Sequence, residues 1–273
     1  MVGGEGGQGG AAAELTELTA GLRGAYDTAA PAWARGAQRV YLPLAEALVG
    51  QAGVPGLRVL DLGAGTGVAG RAALAAGARS VVAADVAVGM LRRCGPPLHP
   101  VAADARMLPF RDRSFDLVLA ACCLGHLPSL AAGLREARRV GAALAASSFA
   151  PGWTDPAKEA VDAALRPFGY LPPAWYLRFK QETEPAAGDP ETLAVELAAA
   201  GFSQVRIRPV TVPTGLSQPA ALVAWRLGMA HIAPFFSSLR ARDAAAARQA
   251  AEQAVAASAA GPLTVPLLVT TAS

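Results

Sequence analysis

The sequence predicts an α/β fold, a doubly wound and mostly parallel seven-stranded sheet with a helical cap. Three observations carry that prediction. Between residues 57 and 149, short apolar runs alternate with helical stretches, the order that builds a parallel sheet with right-handed crossovers. The run at 115–122 is apolar almost throughout, as a strand covered on both faces requires. A glycine-rich turn, "LDLGAGTG", joins the first of these runs to a helix.

The elements follow in order. Residues 1–12, rich in glycine and alanine, read as a flexible tail too poor in apolar surface to order itself. No basic region followed by an apolar core marks them as a secretory signal. Residues 13–50 have a helical pattern, broken near Pro31. Within the core, 51–150, strands are expected at 57–62, 80–85, 99–103, 115–122 and 143–149. Helices are expected at 68–76, ended by Gly77, at 88–94 and at 130–140. Residues 151–190 form an aromatic, proline-rich cap segment. In 191–273, "PETLAVELAAAGF" is a helix stopped by Gly201, and "SQVRIRPVTVP" alternates as a half-buried strand does. A mostly helical insertion fills 214–260 before a last strand, "LTVPLLVTT". Pro266 inside that strand argues for an edge position or a bulge.

Composition narrows the function. Hydrophobic residues make up 53% of 273 and charged residues 16%, ample material for a buried core. Arg, Asp, Gly or Pro interrupts every apolar run before membrane-spanning length. Cys94, Cys122 and Cys123 form no CxxC and no evident disulfide framework, which suits a cytoplasmic protein. No metal-ligand spacing occurs. The net charge of +3 could point to nucleic acid. All but two of the 24 basic residues are arginine, however, and they are scattered. Clusters such as "REARR" fall on predicted helices and read as solvated faces.

The glycine loop runs Asp61-x-Gly63-x-Gly65-x-Gly67, with a strand before it and a helix after it. Its glycines allow a sharp turn and close approach of a ligand. A dinucleotide would set its pyrophosphate at this helix N-terminus, where Asp61 would add unfavourable negative charge. A ligand with a cationic group and no phosphate suits the acid better, and S-adenosylmethionine (SAM) is one. Asp85 ends the second strand at the spacing of an acid that bonds ribose hydroxyls; a helix-capping role is the alternative. Asp104 follows the third strand, as a ligand contact or a turn residue.

"VLDLGAGTG", "AADVAVGML", "ADARMLPFRDRSFDLVLA" and "LREARRV" together resemble the successive motifs of the class I SAM-dependent methyltransferases, with their Rossmann-like sheet. The nearest subgroup is similar to the ubiquinone and menaquinone C-methyltransferases. The resemblance covers roughly residues 26–149. It implies that Gly63, Gly65 and Gly67 border the methionine moiety, with Asp61 near its amino group. It further implies Asp85 at the ribose, Val86 beside the adenine, Asp104 at the adenine amino group, Ala105 stacking nearby, and Cys122 offering its backbone carbonyl. "AYDTAAPAW" resembles the segment that closes over the cofactor, which makes 13–50 a lid and Tyr26 a contact. The chain departs from the family in the short turn Gly141, Ala142 and Ala143, and in the long insertion after "RPVTVP".

His126 lies just past the fourth strand, where substrate meets cofactor in this family, as a general base or a structural histidine. His231 is a second candidate. Ser147 and Ser148 end the fifth strand, lining the site or satisfied within it. Trp153, Phe168, Tyr170, Trp175, Tyr176 and Phe179 cluster in one segment, and Trp225, Phe235 and Phe236 in another. They fit a helical core, an apolar substrate pocket under the cap, or both; Trp153, Tyr170, Trp175, Tyr176, Trp225 and His231 are the expected acceptor contacts. Cys122 and Cys123, in an apolar strand, read as small core residues rather than nucleophiles.

These residues describe an enzyme that moves a methyl group from SAM, leaving S-adenosylhomocysteine, to an apolar small molecule, by O- or C-methylation in secondary metabolism of a bacterium. The expected partners are that molecule alone, with no nucleic acid and no membrane, in a monomer or homodimer. A non-methylating reaction such as cyclisation, with SAM as a structural ligand, is the alternative, since fold does not fix function.

Overall fold

The computed structural model describes residues 6–273, with side chains from residue 19 onward. In chain order the elements are α1 (Gly6–Arg35), α2 (Gln38–Ala52), β1 (Arg58–Leu62), α3 (Val68–Ala75), β2 (Ser80–Asp85), α4 (Val88–Leu91), β3 (His99–Ala102) and β4 (Phe115–Ala121). There follow α5 (Leu130–Val140), β5 (Gly141–Phe149), α6 (Pro156–Leu165), α7 (Ala174–Arg178), a π-helical turn (Phe179–Thr183), α8 (Glu184–Gly188) and α9 (Pro190–Ala199). The chain ends with β6 (Arg206–Pro213), α10 (Pro219–Leu227), α11 (Ala233–Ser238), α12 (Ala241–Ala257) and β7 (Thr264–Ala272).

The seven strands lie in the order β3-β2-β1-β4-β5-β7-β6. The first five are parallel and β7 runs antiparallel to both neighbours. Successive side chains of a strand point to opposite faces, and the core divides accordingly. Leu60, Leu62, Val118, Ala120, Leu144 and Ala146 face Leu134 and Ala137 of α5 and Leu193 and Leu197 of α9. Val59, Val81, Leu117, Leu119 and Ala145 face Leu48 and Val49 of α2 and Ala73 of α3. A third cluster joins α6, α10 and α12 through Val161, Leu165, Leu222, Val223, Ala251 and Val255. The aromatic cap segment and the long insertion thus pack as one helical layer.

Three expectations are corrected. Of the tail expected over 1–12, residues 1–5 lie outside the described residues, and 6–12 belong to α1. The helix also runs through Pro31 and breaks at Gly36 instead. There a Cβ would stand 2.1 Å from the carbonyl oxygen of Ala224 in α10, so the break marks where two backbones touch. Finally, β7 is not an edge strand. Its ladder to β5 stops at the Phe149–Leu267 pair, and the Pro266 carbonyl still accepts from Ala150 N at 3.0 Å. The missing N–H therefore falls where that ladder ends. The edge is β6, which carries Pro209 and Pro213 and exposes Arg206 and Arg208, features that discourage further pairing.

The short turn at Gly141 proves to be no turn at all. α5 passes directly into β5, with Gly141 opposite Phe115 and Ser147 opposite Ala121. A Cβ at Gly141 would lie 2.6 Å from Val118 Cγ2, so only glycine lets the helix end this close to the sheet.

At Gly36 the clash of an added methyl is with backbone and cannot relax cheaply. Gly36→Ala is expected to lower stability by about 3 kcal/mol, read as a lower urea midpoint at unchanged m.

Candidate active site

In this sheet the strand order switches sides between the parallel neighbours β1 and β4, and ligands bind at the carboxyl ends of strands at such a point. The glycine loop leaves β1 here. Gly63, Gly65 and Gly67 all have positive φ (65°, 56° and 80°), but for different reasons. A Cβ at Gly63 would lie 2.5 Å from Cys123 Cβ, and one at Gly67 would lie 2.4 Å from Leu98 Cδ1. A Cβ at Gly65 would meet nothing within 4 Å, because it faces the cleft. Gly67 itself does not line that cleft and serves the packing of α3.

Asp61 is 1% exposed, at the cleft floor. Gly67, at the N-cap of α3, has no side chain with which to cap the helix, so Asp61 Oδ2 accepts from Gly70 N at 2.8 Å. Burial drives its carboxyl up to about 7, against the opposing pull of the Gly70 N–H. Asp85 takes the capping role that the sequence left open, and it braces the glycine loop as well. Its Oδ1 accepts from Ala87 N (2.8 Å), capping the turn into α4, and its Oδ2 reaches Gly65 N (2.7 Å), bracing the loop. A carboxylate accepts about four hydrogen bonds, which leaves capacity for a ribose diol.

Val86, Asp104, Ala105, Cys122 and Tyr26 line the same cleft. Both Asp104 oxygens are already engaged by Arg106, with Nη2 at 2.6 Å and Nε at 3.0 Å, and this pairing holds its carboxyl below the usual range. Cys122, at the tip of β4, has φ 52°, an uncommon and costly conformation for a residue with a Cβ. Ser147 holds it there, its backbone oxygen accepting from Cys122 N at 3.0 Å and its Oγ at 3.1 Å. Ser147 and Ser148 line neither cavity.

These features fit SAM. The loop presents an open cradle at Gly65, two acids await cationic and hydroxyl groups, and α1 closes the top. That closure is tight: Asp27 Oδ1 accepts from Gly89 N at 2.5 Å, and a Cβ at Gly89 would come 2.9 Å from the Asp27 carbonyl.

A second cavity, of about 490 Å³, lies under the cap. Tyr26, Tyr41, His126, Trp175 and Phe179 line both spaces and form the wall between them. His126 stacks on Phe179 at 4.2 Å, its Nε2 lies 3.2 Å from Tyr26 Oη, and its Nδ1 has no partner. Burial lowers the imidazole to about 4, so it is neutral. Trp153, Trp175, Tyr176, Trp225 and His231 line the second cavity. His231 stacks on Tyr176 at 3.8 Å and lies 3.3 Å from Arg226 Nη2. Tyr170 is the exception among the expected acceptor contacts. The left-handed turn at Gly169 sends it into the core, 2% exposed and against Phe235, away from both cavities.

The sequence reading passed over Tyr41, Phe149, Lys158, Asp162, Lys180 and Arg226, all at the second cavity. A signal was present for two of them. In a chain that uses arginine nearly everywhere, its two lysines both line this space.

Comparison with known proteins agrees with this layout. A family model described as a methyltransferase domain matches residues 60–143. The demethylmenaquinone methyltransferase of Corynebacterium urealyticum is 38% identical over 162 residues, spanning 55% of this chain and 70% of the relative. That of a Mycobacterium species (strain KMS) is 38% identical over 169 residues, spanning 58% and 72%. Among solved structures, a candidate methyltransferase from an antibiotic biosynthesis pathway of Anabaena variabilis superposes with a TM-score of 0.54 at 14% identity, covering 84% of this chain and 96% of that one. The YcgJ protein of Bacillus subtilis superposes at 0.51 with 15% identity, covering 84% and 97%. The family match ends at the start of β5, so the cap lies beyond it.

Asp61 is a carboxylate whose ionised form the free protein disfavours. Its contribution to stability is present below its ordinary range and is lost as pH rises through about 7. A cationic amino group reverses that preference. S-adenosylhomocysteine is therefore expected to bind more weakly as pH falls through about 7. Asp61→Asn, measured by calorimetry and thermal melts, should flatten that dependence, weaken binding above it, and raise Tm there.

Proposed function

The chain belongs to the class I SAM-dependent methyltransferases, and from that premise we propose that its acceptor is a small, flat, acidic aromatic molecule of the quinol or polyketide type. The observation that carries the proposal is the shared wall of Tyr26, Tyr41, His126, Trp175 and Phe179, with the glycine-loop cleft on one side and an aromatic cavity on the other. The relatives named for demethylmenaquinone, which share more than a third of their aligned residues with this chain, support a quinone-like ring.

SAM, when bound, supplies a methyl group on a sulfonium, displaced in line by the acceptor. The chain's own task is to align the two molecules and exclude water. α1 covers one side, through Tyr26, and the cap from Trp153 to Glu184 covers the other. His126 is the one titratable imidazole on the shared wall among the described residues. Neutral and held at about 4, it is always ready to accept a proton but is a weak base. Abstraction from an aliphatic hydroxyl or an unactivated carbon asks more than it can give. An acidic phenol or enol does not, whether oxygen or the adjacent ring carbon takes the methyl. We place the reaction in secondary metabolism and in the cytoplasm, the latter supported by three unpaired cysteines, two of which, Cys122 and Cys123, line the glycine loop's cleft.

The test is transfer of labelled methyl from SAM to a panel of phenols, quinols and aliphatic alcohols. Products are expected from the acidic aromatic members alone; turnover of aliphatic alcohols would refute the assignment. In the same assay His126→Gln is expected to cut turnover by roughly 10²-fold with little change in S-adenosylhomocysteine affinity. Unaltered turnover would make His126 structural.

A further inference from the structure

The second cavity is aromatic, but it also carries charge of both signs, with Asp155, Glu159, Asp162 and Glu184 among its lining. Lys158, Lys180 and Arg226 all line it. Two of the three have carboxylate partners. Arg226, 2% exposed, donates from Nη2 to both Asp162 oxygens at 2.7 and 3.0 Å. Lys180 pairs with Glu184. Lys158 differs: among the described residues it forms no ion pair. Its ammonium lies 4.2 Å from the centre of the Trp153 ring and 3.5 Å from the Trp153 carbonyl oxygen. Arg226 also keeps one donor, Nε, buried without a partner.

Lys158 stands on the first turn of α6, where Asp155 already serves as the cap, accepting from Ala157 N at 2.9 Å. The lysine is thus not needed to finish the helix, and a cation near a helix N-terminus is mildly unfavourable. Burial pulls it down to about 8, with Arg226 and Lys180 pushing the same way and the Glu184 and Asp162 carboxylates opposing them. A half-buried cation beside aromatic rings, with no direct ion pair and facing a cavity, can take an anion as its partner.

We propose that Lys158, seated on the Trp153 ring, binds an ionised ring oxygen of the acceptor. The assignment rests on the aromatic-acceptor reading and narrows it to acceptors that enter as oxyanions. Trp153 is itself held between Phe149 at 5.5 Å and Trp225 at 6.4 Å, so the ring under the ammonium is a fixed support. The pairing of the other two cations makes the site selective for one negative charge. An ionised oxygen also enriches the ring in electrons, so the position that takes the methyl asks only a weak base such as His126 to remove its proton.

A matched pair of probes tests this: 2-hydroxy-1,4-naphthoquinone, ionised at neutral pH, and its neutral methyl ether. Each is titrated into the protein saturated with S-adenosylhomocysteine, followed by tryptophan fluorescence. The anion is expected to bind about tenfold more tightly than the ether. Lys158→Met should abolish that preference and Lys158→Arg should retain it, while Lys180→Met should leave most of it in place. S-adenosylhomocysteine binding reports that each variant is folded. Equal binding of the two probes, or a preference that survives Lys158→Met, would overturn the role of Lys158 and leave the aromatic acceptor standing. Binding of neither probe would overturn the aromatic acceptor itself, and this proposal with it.

Discussion

The carboxylate of Asp61 is the constraint on which the site is built. It sits at the end of β1, almost wholly buried, and stands in for the cap that the glycine at the start of α3 cannot supply. α3 can approach that closely because Gly70 has no side chain: a Cβ there would stand 3.0 Å from Asp61 Oδ2. The same closeness removes water from the acid. Keeping it ionised in the free protein costs roughly 4 kcal/mol, from the shift to about 7. A ligand with a positive group offsets that cost, and one with a phosphate adds to it. The preference for a cationic nucleotide therefore follows from how the first strand and helix pack.

The cap is organised around different physics. Two glycines, Gly36 and Gly228, let α1 and α10 meet backbone to backbone, so that lid and cap share one junction. Tyr26, His126 and Phe179 converge below it as a dry wall between two spaces. Burial there raises the Tyr26 phenol and lowers the His126 imidazole, and both groups are neutral as a result. A neutral wall suits a reaction in which charge moves from a sulfonium to an acceptor anion, since nothing on the wall competes with either. Lys158, the cation that would attract the acceptor, lies beyond it on α6.

The parallel half of the fold was legible because β1, β2, β4 and β5 are mostly apolar runs and α3 is stopped by Gly77. β2 and α5 fall where the pattern puts them, to the residue. Prolines were misleading in both places where they were used as punctuation. Pro31 sits inside a helix whose end is set by contact with α10, and Pro266 sits in an interior strand at the point where its neighbour stops; both are tertiary facts. The glycine loop and its acids were legible as a local motif, yet Gly67 turned out to support packing rather than line the cleft. The aromatic residues were legible only as a group: Trp153 and Tyr176 face the cavity while Tyr170, a few residues away, is core. Which way each points depends on turns such as Gly169, which no periodicity records. Lys158 was visible as a rarity of composition, but its meaning needed the cavity.

The most direct measurement of the central claim is a calorimetric titration of the native chain with S-adenosylhomocysteine and, separately, with NAD+. A site whose buried acid favours a cationic group and rejects phosphate should bind the first in the micromolar range and show no heat with the second. Comparable binding of the dinucleotide would contradict the account, because Asp61 would then not be setting the charge of the ligand.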